Sequence, residues 1–81
     1  MLSVRVRFFA HMRDDARTPS ASFSLAPDTT LAALKGIILE RFPALRWPPG
    51  TMLAVNQQYA APEQALRDGD EIAVIPPVSG G

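Results

Sequence analysis

The chain has no cysteine, one histidine, one lysine, one tryptophan and one tyrosine among 81 residues. Without cysteine no disulfide can staple a small fold, and no thiolate can hold a metal. The single histidine, His11, has no partner that would make it a catalytic base. Ser3, Ser20, Ser22, Ser24 and Ser79 stand in no G-x-S-x-G pattern, and no glycine-rich phosphate loop is present. His11 therefore reads as a solvated turn residue, and no activity is expected of the chain alone. An excess of one charge is lacking too. Eight basic residues, seven of them Arg with Lys35 the exception, balance eight acidic ones, which argues against a nucleic-acid partner. No run approaches the roughly 20 apolar residues that span a bilayer. The opening MLSVRVRFFA alternates where a signal peptide would be continuously apolar. The expectation is one cytoplasmic domain without membrane contact.

What is present is a clear succession of periodicities. Leu2, Val4, Val6 and Phe8 alternate with Ser3, Arg5, Arg7 and Phe9, the period of a half-buried strand. A polar stretch over residues 13–19 follows, then Phe23 and Leu25 alternate with Ser22 and Ser24 as a short second strand, pairing with the first as a hairpin. Residues 27–30, Pro-Asp-Thr-Thr, break the pattern and offer N-caps. Leu31, Leu34, Ile38 and Phe42 then recur at helical spacing, with Ile37 widening the stripe and Pro43 stopping the helix. Residues 44–50 read as a proline-rich loop pinned by Trp47, and residues 52–56 as a third strand. Residues 63–66 read as a single helical turn that drops Leu66 into the core. Asp68-Gly69-Asp70 is a turn, and residues 71–75 form the last strand, which Pro76-Pro77 cannot extend. Asp68, Asp70 and Glu71 could hold a hard cation, but nothing else supplies matching ligands; they read as a solvated turn, and no metal is expected.

The order strand, strand, helix, strand, strand fits an α+β fold: a mixed sheet with one main helix packed on one face. First and last strands side by side would make it a β-grasp domain, over residues 1–77. Residues 78–81, Val78-Ser79-Gly80-Gly81, then form a tail with nothing to hold one conformation.

That tail is the candidate for chemistry. Two prolines favour an extended path off the sheet, and two glycines end it with a carboxylate beside no side chain. Such an end passes through a channel where any Cβ would clash. Its carboxylate can attack the α-phosphate of ATP, giving an acyl-adenylate open to sulfide, a thiol or an amine. Terminal glycines also occur as frayed ends or linker remnants; a strand and a double proline directly in front favour function.

The opening Val6 to Ala10, Arg13-Asp14, Phe42-Pro43, Ala54-Val55-Asn56, the run Asp68-Gly69-Asp70-Glu71-Ile72-Ala73 and the closing Ile75-Pro76-Pro77-Val78-Ser79-Gly80-Gly81 together resemble one family along the whole chain. These are the MoaD-type ubiquitin-like sulfur carriers, the small subunits of molybdopterin synthase. The resemblance implies a β-grasp fold and a function in molybdenum cofactor biosynthesis. An adenylyltransferase similar to ubiquitin-activating enzymes would use ATP to adenylate Gly81, and a sulfur donor would convert it to a thiocarboxylate. Val78, Ser79 and Gly80 would pass into the large synthase subunit, where sulfur reaches the cyclic pterin precursor. No cofactor would be bound permanently, and the synthase would be a heterotetramer. The missing cysteine agrees, since sulfur cannot then ride as a side-chain persulfide. Alternation leaves Phe9 and Ile75 on the sheet face opposite the helix; with Tyr59, Pro76 and Pro77 they form the expected partner interface. A thiazole-pathway sulfur carrier and a ubiquitin-like protein modifier are the alternatives, followed by a plain interaction module of the same fold.

Overall fold

The computed structural model describes residues 1–77; the expected tail, residues 78–81, lies outside the described residues. Five strands form one mixed sheet in the order β2-β1-β5-β3-β4. In chain order they are β1 Leu2–Phe8, β2 Ser20–Leu25, β3 Met52–Val55, β4 Gln58–Tyr59 and β5 Glu71–Ile75. β1 and β2 form the antiparallel hairpin that their alternation predicts. β5 lies beside β1 in parallel, with Val6 opposite Ile72 and Phe8 opposite Val74. First and last strands are thus neighbours at the centre of the sheet, the β-grasp arrangement. β3 pairs antiparallel with the other side of β5.

One face of the sheet is closed by the main helix, α2 (Leu31–Arg41), preceded by the short α1 (His11–Ala16). Thr30 caps α2: its hydroxyl accepts from the Ala33 amide at 3.2 Å, satisfying one of the amides a helix start leaves free. Leu31, Leu34 and Ile38 are fully buried against Val4, Val6, Phe8, Ile72 and Val74. Phe42, the C-cap, meets Phe8 edge-on at 5.4 Å between ring centroids. Ile37 does not widen the buried stripe; it is 37% exposed, and Leu39 on the opposite margin packs on the core instead. Both lie about a quarter turn from the stripe's centre, so periodicity could not choose between them. Trp47 packs against the core as a pin for the proline-rich loop, with the Lys35 ammonium 5.3 Å above its ring.

The expected helical turn at residues 63–66 does not form. This segment runs beside the start of α2 instead: the Gln64 carbonyl accepts from the Leu31 amide at 3.0 Å, and the Pro62 carbonyl from Ala32 at 3.0 Å. Leu66 donates to the Thr29 carbonyl at 2.8 Å and is buried as expected. Carbonyls that a local turn would use internally serve the unpaired amides of α2, a demand that only the tertiary structure creates.

α1 replaces part of the expected polar loop. Met12 and Ala16, four residues apart, are both buried, but six residues are too few to read as a helix. Tertiary contacts hold it. Both Asp15 carboxylate oxygens accept from the Arg46 guanidinium at 3.0 Å, and Oδ2 also accepts the Arg46 amide at 3.0 Å. His11 is not a free turn residue; its Nε2 lies 3.2 Å from the Arg46 carbonyl.

These hydrogen bonds from Arg46 hold the Asp15 carboxyl below the ordinary carboxylate range. A carboxylate with a lowered folded-state pKa adds stability above its unfolded value and loses it as pH falls through the folded one. Asp15→Asn is therefore expected to be less stable than the parent at pH 7. In urea titrations the gap should begin to narrow as pH falls below the unfolded-state carboxylate value of about 4, and close as the folded-state carboxyl protonates at lower pH still.

Candidate functional site

Because β1 and β5 run parallel in register, the residues that point away from α2 form rows across the sheet. One row is Arg7, Ala73, Ala54 and Tyr59. The next places Phe9 beside Ile75, by one step past the Phe8–Val74 pair, and Ile75 opposite Met52. Phe9 is 38%, Met52 48% and Tyr59 65% exposed, with Ile75 half-buried between them. Four apolar or aromatic side chains from four strand ends thus share a face that, among the described residues, no element covers. Contiguous apolar surface of this kind marks an interaction site more often than scattered single residues do.

The charges on this face frame the patch. The Arg7 guanidinium lies 5.6 Å from the Phe9 ring centroid and 3.5 Å from Glu71 Oε1. Both partners of that ion pair are exposed, so it adds little stability; it positions the Arg7 fork over the edge of the patch.

β5 ends in the patch, and Pro76-Pro77 continues from it. A Cβ built on Gly50 would lie 3.4 Å from Pro77 Cβ, so the chain leaves the sheet along the loop that enters β3. Gly50 also holds φ at +88°, where side chains are strained. The predicted Phe9, Tyr59, Ile75, Pro76 and Pro77 therefore lie at one end and one face of the sheet. Phe9 and Ile75 each follow the Phe8–Val74 pair by one residue, Tyr59 is separated from β5 by β3, and Pro76 is more buried than Pro77. Residues 78–81, with Gly81, lie outside the described residues.

Sequence reasoning missed Met52 as part of this face, and with it the two-residue strand β4 that carries Tyr59. Asn56 and Gln57, at φ of 51° and 72°, make the tight turn between β3 and β4, a left-handed pair that Asn tolerates well. Asn56 was the available signal, but its neighbour is Gln where a hairpin turn usually has Gly.

The three carboxylates at residues 68–71 do not converge. Asp68 Oδ1 accepts from the Ser3 amide at 2.7 Å. Asp70, buried and not solvated as expected, accepts from the Arg67 amide at 2.8 Å and from Asn56 Nδ2 at 2.9 Å. They lock the turn that brings β5 against β1. Among the described residues no cluster of three His, Cys, Asp or Glu could hold a metal ion, and no helix is long and apolar enough to cross a membrane.

Comparison with known proteins agrees with this geometry. The model of the ThiS family matches residues 6–81. The chain belongs to the ThiS family. A molybdopterin synthase sulfur carrier subunit from Chlamydomonas reinhardtii is 37% identical over 99% of this chain and 100% of its own length. One of the same name from Caenorhabditis briggsae is 40% identical with both chains fully covered. Among solved structures, SAMP1 from Haloferax volcanii superposes with a TM-score of 0.87 at 25% identity, covering 98% of this chain and 99% of that one. In the complex of subunits 1 and 2 of the molybdopterin-converting factor from Helicobacter pylori, the matching chain has a TM-score of 0.71 at 28% identity over 99% of this chain and 100% of that one. Placed in the ThiS family, the fold is the ubiquitin-like β-grasp, and the chain spans these relatives over their whole length.

Proposed function

We propose that this protein is the sulfur carrier subunit of a molybdopterin synthase in the cytoplasm, docking on a large subunit through its outer sheet face. The observation that carries the reading is the position of β5. It ends opposite Met52 and beside the end of β1, from which Phe9 follows, and passes directly into the residues leading to Gly81. A partner that covers the apolar face is therefore placed to receive the chain end. The Helicobacter pylori complex supports a large subunit as that partner.

In the proposed cycle a Gly81 carboxylate oxygen attacks the α-phosphorus of ATP within an adenylyltransferase, and pyrophosphate leaves. Sulfur from a donor at the sulfide level attacks the acyl carbon, AMP leaves, and a thiocarboxylate remains. Within the synthase, sulfur passes to the pterin precursor and water restores the carboxylate. Gly80, Ser79 and Val78 contribute little bulk to whichever channel admits them, and the chain's own side chains take no part in bond-making. Two carriers on two large subunits would complete the heterotetramer.

Intact mass after incubation with ATP, sulfide and a cognate adenylyltransferase tests this. The expected result is replacement of one oxygen by sulfur, localised to Gly81 by fragmentation. A second reading, protein modification, is favoured by the match, at 26% identity, to the small archaeal modifier protein 1 of Methanosarcina acetivorans. It predicts an amide between Gly81 and a lysine of another protein, and recovery of that linkage without any thiocarboxylate would overturn the carrier reading.

A further inference from the structure

β2 is an edge strand, and its own sequence does little to protect it. Residues 20–25, Ser-Ala-Ser-Phe-Ser-Leu, contain no charge and no proline, the devices with which edge strands usually avoid pairing with another chain. The other edge, β4, is only two residues long, and offers far less to pair with.

Register shows which main-chain groups of β2 are free. The Phe8 amide donates to the Pro19 carbonyl at 2.9 Å, so Phe8–Pro19 is a hydrogen-bonded pair. Hydrogen-bonded and non-bonded pairs alternate along an antiparallel ladder. Ala21, Phe23 and Leu25 therefore direct their amides and carbonyls toward β1, and Ser20, Ser22 and Ser24 direct theirs outward. The Arg5 amide agrees, since it donates away from β2, to the Asp70 carbonyl at 3.0 Å.

Two side chains from outside β2 occupy this outward row. Thr18 Oγ1 donates to the Ser20 carbonyl at 2.7 Å and accepts from the Ser20 amide at 3.4 Å. Arg41, in the last turn of α2, donates from Nη1 to the Ser22 carbonyl at 2.7 Å. Its guanidinium carbon lies 4.7 Å from the Phe23 ring centroid and 5.5 Å from that of Phe42, so two aromatic faces hold the fork on the edge. The Ser22 amide and both main-chain groups of Ser24 have no such cover among the described residues.

The row is self-complementary about Ser22. In an antiparallel pairing of two copies, Ser22 meets Ser22 and Ser20 meets Ser24, and all outward amides and carbonyls find partners. The side chains meeting on the outer face are serines, too small to obstruct the approach. We propose that the β2 edge is a self-association surface for a second copy of this chain, and that Arg41 holds it closed. The guanidinium occupies the central acceptor of the symmetric register that pairs the whole row, so the carrier stays monomeric while Arg41 is seated. Loss of that contact would join two five-stranded sheets into one. The surface is distinct from the apolar patch: it is the hydrogen-bonding edge of β2, whereas the patch lies on the outer sheet face at the ends of β1, β5, β3 and β4.

Arg41→Met tests this, because it removes every donor while retaining an aliphatic stem over Phe23 and Phe42. In sedimentation velocity the parent is expected to remain monomeric. The variant's average mass should rise toward twice the monomer value with concentration, and its Ser22 and Ser24 amides should become protected from hydrogen exchange. Adding Ser22→Pro, which deletes an amide pointing to solvent and so is tolerated at an edge, should return Arg41→Met to the monomer. An Arg41→Met protein that stays monomeric at all concentrations overturns the proposal, as does a dimer that persists in the double variant.

Discussion

Extending the chain by one residue beyond Gly81 is expected to abolish sulfur transfer while leaving association with the large subunit largely intact. The reason is positional. The new terminal carboxylate lies one residue past the atom that must meet the α-phosphorus of ATP, and reactions between aligned groups lose orders of magnitude when one is misplaced by about 1 Å. One residue of extended chain is roughly 3.3 Å. In the proposed docking mode association depends instead on Phe9, Ile75 and Met52, which the extension does not touch. Calorimetry for affinity and pterin-product formation for transfer separate the two effects. An extended protein that still transfers sulfur, with its added residue shown intact by mass, would remove Gly81 from the role proposed for it.

Ile75→Asp should produce the complementary loss: binding to the large subunit weakened by about 100-fold or more, with adenylation of Gly81 by the activating enzyme a separate measurement. Ile75 lies opposite Met52 and one residue past the Phe8–Val74 pair, at the strand end that Phe9 follows. A carboxylate there would be carried into an apolar interface whose framing cation, Arg7, is already paired with Glu71, and an incompletely paired buried charge costs several kcal/mol. The side chain is half-buried and on the outer face, so the sheet should survive; far-UV circular dichroism checks that. Normal affinity in a folded variant would mean that the partner docks elsewhere.

How legible these features were depends on the range of the forces that make them. β1, β5 and the buried stripe of α2 declare themselves through local periodicity, since a side chain's face follows from its own backbone geometry. α1 does not, because six residues cannot nucleate a helix unaided and Met12 and Asp15 become anchors only when the core and Arg46 are in place. Residues 63–66 have a plausible local turn that loses to the start of α2, which needs their carbonyls. The burial of Asp70 was hidden for the same reason: its partners, Asn56 and the Arg67 amide, come from the β3–β4 turn and from its own turn.

For the site the division is similar. Phe9 and Ile75 were assigned to one face from alternation alone, and their adjacency followed once β1 and β5 were taken as neighbours. Met52 and the placement of Tyr59 needed β3 and β4 to be set beside β5 in a definite register, and one residue of slip would send each to the opposite face. The sequence by itself determined the elements with strong periodicity, the two faces of β1 and β5, and the chemical character of a chain ending in Gly-Gly without cysteine, all properties of neighbouring residues. Only the tertiary structure decided which strands meet, which carbonyls serve which amides, and which apolar side chains remain uncovered, because each of those depends on contacts between residues far apart along the chain.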